Sequence, residues 1–255
     1  MRRTSRTRLL VISLVIFAFV AITAVTSANH SWNGYHWART SNPFTVKLGD
    51  NVSSQWDSVL STTASDWSQS TVLDTVIVAG GAKPRNCRPT SGQVEVCNDT
   101  YGNNGWLGVA QVWVSGKHIT QGTVKLNDTY FNTSTYNTTA WRNLVSCQEV
   151  GHTLGLDHQD TNFNNPNLGT CMDYTNDPST NQHPNKHDYD ELVTIYSHLD
   201  STSTLGQFVG RVQDFVQSAP AEWGKLIRQS PNGKNSLFEL DLGNGRRVFT
   251  FVIWA

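Results

Sequence analysis

The residues with the clearest chemistry lie in one stretch, Cys147-Gln148-Glu149-Val150-Gly151-His152-Thr153-Leu154-Gly155-Leu156-Asp157-His158. Residues four apart on a helix share a face, about one turn apart. Gln148 and His152 can therefore point at one metal ion, with Glu149 beside them, close enough to take a proton from a metal-bound water. Gly155 can adopt positive φ, which lets the chain leave the helix and turn. That turn brings His158 back as a third ligand.

Written as fixed positions, this stretch resembles the H-E-x-x-H-x-x-G-x-x-H pattern of the metzincin zinc proteases. Gln148 stands where the first His is usual, and Glu149, His152, Gly155 and His158 fill the other positions. Downstream, Cys171-Met172-Asp173-Tyr174 looks like the Met-turn of that family. The resemblance is closest to matrixins and snapalysin-like bacterial proteases and covers roughly residues 40–200. It implies one catalytic Zn2+ held by Gln148, His152 and His158, with Glu149 as general base and Tyr174 hydrogen-bonding the oxyanion. Met172 would support the base of the site. The implied activity is metalloendopeptidase cleavage of a polypeptide substrate. An amide oxygen is a weaker zinc donor than imidazole, so three outcomes stay open. Gln148 ligates, a water replaces it, or tight metal binding is lost. The last would leave a catalytically inactive, exported binding protein on the same scaffold.

The elements that must position these residues are legible in part. Pro43–Leu48 and Val72–Ala79 read as strands, the second with Val76-Ile77-Val78 buried. Between them runs an amphipathic helix to about Ser70, capped by Asp50 or Asn51. This β-α-β order implies a parallel pair. Residues 80–104 read as irregular. Trp106–Val114 and Ile119–Leu126 read as strands. By the resemblance, Gly105–Val112 is the sheet edge along which an extended substrate would align; a plain core strand is the alternative. Ala140–Leu154 is the active-site helix and His187–Leu199 a second one. Phe208–Val216 reads as a short helix. Leu237–Leu242, Gly243-Asn244-Gly245 and Arg247–Trp254 read as a β-hairpin. The expected class is α+β: a metzincin-like domain with a twisted mixed sheet, an active-site helix and a C-terminal helix over residues 29–200, and a small hairpin extension of unassigned role over 201–255.

Residues 1–28 carry Arg2, Arg3, Arg6 and Arg8, then an apolar run from Leu9 to Val25, then Thr26-Ser27-Ala28. This reads as a secretory signal peptide cleaved after Ala28, with an uncleaved anchor as the alternative. Removing it takes away four arginines and no acidic residue, so the formal net charge falls from -1 to -5. A mildly acidic chain without a basic stripe has no electrostatic reason to bind nucleic acid. The expectation is a secreted monomer with no membrane contact once the signal is removed.

Four cysteines in an exported chain suggest two disulfides, and four allow three pairings. Cys87 with Cys97 closes a short loop. Cys147 with Cys171 follows from the resemblance, since the segments that carry them pack together beneath the metal in metzincins. The alternatives are free thiols, or Cys147 as the missing ligand, which would sit about 100° off the ligand face. His183 and His187 are loop-region candidates for a substitute ligand. Asp/Asn-rich loops leave room for structural Ca2+, but they contain no clear ligand set. Asn127, Asn132 and Asn137 form N-x-S/T sequons.

Overall fold

The computed structural model describes residues 29–160, 162–206 and 220–255. The signal segment 1–28 and the helix read at 208–216 lie outside the described residues. In chain order the elements are β1 (His36–Trp37), β2 (Phe44–Asn51), α1 (Asp57–Trp67), β3 (Leu73–Ala79), β4 (Val94–Asp99), β5 (Trp106–Ser115), β6 (His118–Asn127), α2 (Asp128–Phe131), α3 (Thr139–Thr153), α4 (Lys186–Ile195), β7 (Lys225–Gln229), β8 (Asn235–Gly243) and β9 (Arg246–Trp254). The strands form one mixed sheet in the order β3-β2-β4-β6-β5-β9-β8-β7, with β1 beside β6. β3, β2, β4 and β6 run parallel. From β6 through β5, β9 and β8 to β7 every pairing is antiparallel.

Several expectations change against this sheet. The parallel β2–β3 pair is present, in register from Phe44↔Leu73 to Asp50↔Ala79. Val76-Ile77-Val78 is not buried: Val76 and Ile77 are 42% and 38% exposed and Val78 is half-buried, because β3 is the outermost strand. α1 is not capped by Asp50 or Asn51, since β2 runs through both. The helix starts after Trp56, whose indole N–H donates to Asp128 Oδ1 at 2.9 Å. The stretch read as irregular contains β4, six residues between turns. Its two neighbours, β2 and β6, are distant in sequence, so nothing local announced it.

The largest correction concerns β5. It is not an edge: it pairs with β6 on one side and with β9 on the other. The C-terminal strands, read as a small extension, add to the same sheet at the place where an edge was expected. The physical reason is alternation in β9. Phe249, Phe251 and Ile253 lie opposite Val112, Ala110 and Gly108 and are buried on the helix-bearing face of the sheet. Left uncovered, that stripe would be a large apolar patch.

α3 packs between the sheet and α1. Its N-terminus is capped by Thr138, whose side chain accepts from the Trp141 N–H. Three tryptophans donate to its carbonyls, two of them at the other end. Trp67 Nε1 donates to Cys147 O at 3.1 Å, Trp32 Nε1 to His152 O at 3.3 Å and Trp37 Nε1 to Thr153 O at 2.9 Å. The last two carbonyls belong to the final turn, where helix carbonyls lack internal partners. Each such aromatic buries about 150–250 Å2, so these residues fix the helix by apolar contact while the N–H groups set its position along the axis. Cys87 pairs with Cys97, and Cys147 with Cys171. The second bridge ties α3 to the turn that carries Met172. Among the described residues no helix is long and apolar enough to cross a membrane.

Candidate metal centre

The last turns of α3 bring Gln148, Glu149 and His152 to the sheet. Gln148 Nε2 donates to Cys171 O at 2.6 Å and to Asp173 O at 3.3 Å. Both partners are carbonyls, which only accept, so the amide nitrogen must face them. Gln148 Oε1 is then turned away, buried and without a hydrogen-bond partner. His152 is oriented the same way: Nδ1 lies 2.8 Å from Leu156 O, so that nitrogen carries the proton and Nε2 keeps its lone pair. Gly155 has φ +100°, and a Cβ there would lie 2.5 Å from Tyr35 O. That turn returns His158, whose ring centroid lies 4.6 Å from that of His152 at an interplanar angle of 70°. Neither ring nitrogen of His158 makes a hydrogen bond, although Nδ1 lies 3.4 Å from Asp157 Oδ1.

Glu149 is fully buried, and neither carboxylate oxygen has a hydrogen-bond partner. It lies against Gly108 of β5, where an added Cβ would come within 2.9 Å of Glu149 Oε1 and 2.5 Å of Val145 Cγ1. Burial raises the Glu149 pKa well above the ordinary carboxylate value. Burial lowers His152 and His158, and the two rings depress His152 further by mutual repulsion. Neutral imidazole is the metal-binding form. An amide oxygen, two neutral imidazoles and an adjacent carboxylate, all buried and mostly unpartnered, are a donor set that fits a zinc ion. Beneath them, Met172 Sδ lies 2.6 Å from where a Cβ on Gly151 would be. Tyr174 is 3% exposed, with its ring 4.2 Å from His158, and burial pushes its hydroxyl up to about 12.

The C-terminal strands cover this centre. Phe251 of β9 lies flat on the His152 imidazole, with centroids 4.0 Å apart and planes 10° apart. Arg228 of β7 donates to both oxygens of Asp157, the residue before His158, one of them at 2.7 Å. It also interacts with the Tyr174 hydroxyl. Burial alone would raise Asp157, but the His158 backbone N–H, the nearby His158 imidazole and the Arg228 guanidinium hold it well below the usual carboxylate range. A cavity of about 230 Å3 remains beside Gln148, walled by Leu107, Trp141, Leu144, Ile253 and Trp254.

Sequence reasoning missed Phe251, Arg228 and Asp157. A Phe in an alternating strand and an Arg in a short one carry no local signal for the site. The substitute ligands go elsewhere: His183 pairs with Asp66 at 2.7 Å, and His187 stacks on His30. Cys147 is spent in its disulfide. Asn127 is fully buried, and its side chain caps α2. Sugar could not be attached there without breaking that cap.

No protein-family model matches the chain, and no curated protein does. Among solved structures, the chain aligns with high choriolytic enzyme 1, a hatching-enzyme zinc-protease from Oryzias latipes (medaka fish), at 12% identity and a TM-score of 0.35, over 65% of this chain and 96% of that chain.

Proposed function

We propose that this chain is an exported zinc-dependent peptidase held latent by its own C-terminal strands. The observation that carries the reading is the orphaned donor set. Gln148 Oε1, both Glu149 oxygens and both His158 ring nitrogens are buried without hydrogen bonds. Leaving such groups unpaired costs about 1–3 kcal/mol each, a cost that a bound dication offsets. Gln148, His152 and His158 would hold the ion, and zinc would supply a Lewis acid and a water of lowered pKa. Glu149 would take the proton of the attacking water and pass it to the leaving amine. Tyr174 would donate to the carbonyl oxygen as charge develops there. The substrate would be a polypeptide, which finds no free edge on β5 while β6 and β9 pair with it.

Latency follows from β9. It pairs antiparallel with β5 along the line where such a peptide would lie, and it places Phe251 on His152. The same occupation favours a second reading, a non-catalytic exported protein whose cleft is permanently filled. Loosening the cover in the full chain separates the two. Phe251→Ala with Arg228→Ala should raise chelator-sensitive cleavage of casein at least tenfold over wild type. A zinc-loaded double variant that cleaves nothing would leave the non-catalytic reading.

A further inference from the structure

A second set of unspent donors lies behind Asp157, outside the centre described above. His30 is 4% exposed. Its Nδ1 is 2.9 Å from Asp157 O, so that nitrogen carries the proton, and the buried Nε2 is left without a partner. His187 and Asp188 stand in the first turn of α4. Asp188 Oδ2 accepts from Thr170 Oγ1 and from the Asn185 N–H, the latter at 2.7 Å, while Oδ1 has no partner. His187 Nδ1 is likewise buried and unpartnered. One ligand atom from each of the three residues falls within 4.8 Å of the others.

The distances decide between two arrangements. His30 Nε2 and Asp188 Oδ1 are 3.6 Å apart. That is too long for a hydrogen bond of about 2.7–3.2 Å. It is close to the roughly 3.3 Å between two ligands bound at about 2.0–2.1 Å on one tetrahedral ion. The other histidine–aspartate cluster looks different. There Asp200 accepts from the Arg39 backbone N–H at 3.2 Å and from Arg39 Nη1 at 3.0 Å, His118 Nε2 lies 3.2 Å from its other oxygen, and His36 and His198 meet each other through Nε2 at 3.2 Å. Its charges are already compensated.

We propose that His30, His187 and Asp188 hold a second divalent metal ion, of the class that two imidazoles and one carboxylate select, with zinc as the fitting member. The ion fastens the N-terminal segment to α4. Through the His30–Asp157 hydrogen bond it also steadies the segment that presents His158.

The test is zinc per chain by elemental analysis, on the full exported protein equilibrated with excess zinc and freed of unbound metal. His187→Ala should hold one zinc fewer than wild type, whatever the wild-type number. His152→Ala reports the first centre separately, so failure of the peptidase reading and failure of this one give different counts. Equal zinc in wild type and His187→Ala overturns the proposal and leaves a His30–Asp188 ion pair in its place. A second measurement guards against a folding defect in His187→Ala. In a chain carrying His152→Ala and His158→Ala, added Co2+ should give the visible absorption of a tetrahedral nitrogen–oxygen site. No visible band from that chain also overturns the proposal.

Discussion

The two donor sets are each oriented by one of two consecutive backbone carbonyls. Leu156 O fixes the Nδ1 of His152, and Asp157 O fixes the Nδ1 of His30. In both cases a carbonyl that can only accept forces the proton onto one ring nitrogen and presents the other. The sets differ in how they are assembled and covered. Gln148, His152 and His158 come from one helix and its exit turn, so their order in the chain is already the order of a site. His30, His187 and Asp188 come from the two ends of the region 29–200 and meet only because the N-terminal segment crosses behind Asp157. The first set lies under β9 and Phe251. Orientation by a carbonyl is thus a device of this fold rather than a property of the recognisable helix.

Perturbations that act on one set and spare the other would sharpen this contrast. The largest expected effect is on catalysis. In the Phe251→Ala/Arg228→Ala background, Glu149→Gln should lower cleavage at least about 100-fold, the low end for a general acid–base group, while the zinc count stays unchanged. Retained cleavage would mean that Glu149 is not the base.

Next comes the bridge that serves both sets. Cys171 lies beside Thr170, which bonds Asp188, and the bridge holds the turn beneath Gln148. Replacing Cys147 and Cys171 with Ser should cost about 3 kcal/mol for a closed loop of this length, read by denaturant unfolding. Zinc should be weakened at the first centre more than at the second; equal weakening would erase the distinction between them.

A smaller effect is expected from Gly151→Ala. The new methyl would meet Met172 Sδ at 2.6 Å and Trp67 Cζ2 at 2.7 Å, so overpacking of about 1–3 kcal/mol should appear in the melting temperature. A neutral result would show that the layer under the first centre is loosely packed.

The smallest is Arg228→Ala, about 1 kcal/mol, because the guanidinium is 38% exposed and screened. Its signature is in the pH dependence. Asp157 is held below its ordinary value in the fold, so its contribution is present above the unfolded pKa of about 3.9 and is lost as pH falls through the folded value. Removing Arg228 should move that loss upward, toward pH 4. Identical acid limbs in wild type and variant would show that Arg228 does not hold Asp157.

Legibility followed sequence separation. α3, α4, the β2–α1–β3 unit and the β8–β9 hairpin were all readable, because each rests on a local period or a short turn. β4 was not readable, because six residues between turns carry little pattern. The exposure of Val76 and Ile77 was not legible, because a run of β-branched residues looks the same in a central strand and at an outer edge. The two disulfides were reachable from loop closure and from the resemblance, and the structure pairs the same cysteines.

The sequence by itself determined that Gln148, Glu149 and His152 share a helix face and that Gly155 can turn the chain to return His158. Helix period and the freedom of glycine at positive φ are local properties. Only the tertiary structure decided which amide atom of Gln148 is free, since that depends on two carbonyls across the Cys147–Cys171 bridge. It also decided that β5 is roofed by β9, and that His30 meets α4. Strand pairing and burial are settled by apolar surface from distant segments finding each other, and no local spacing encodes that.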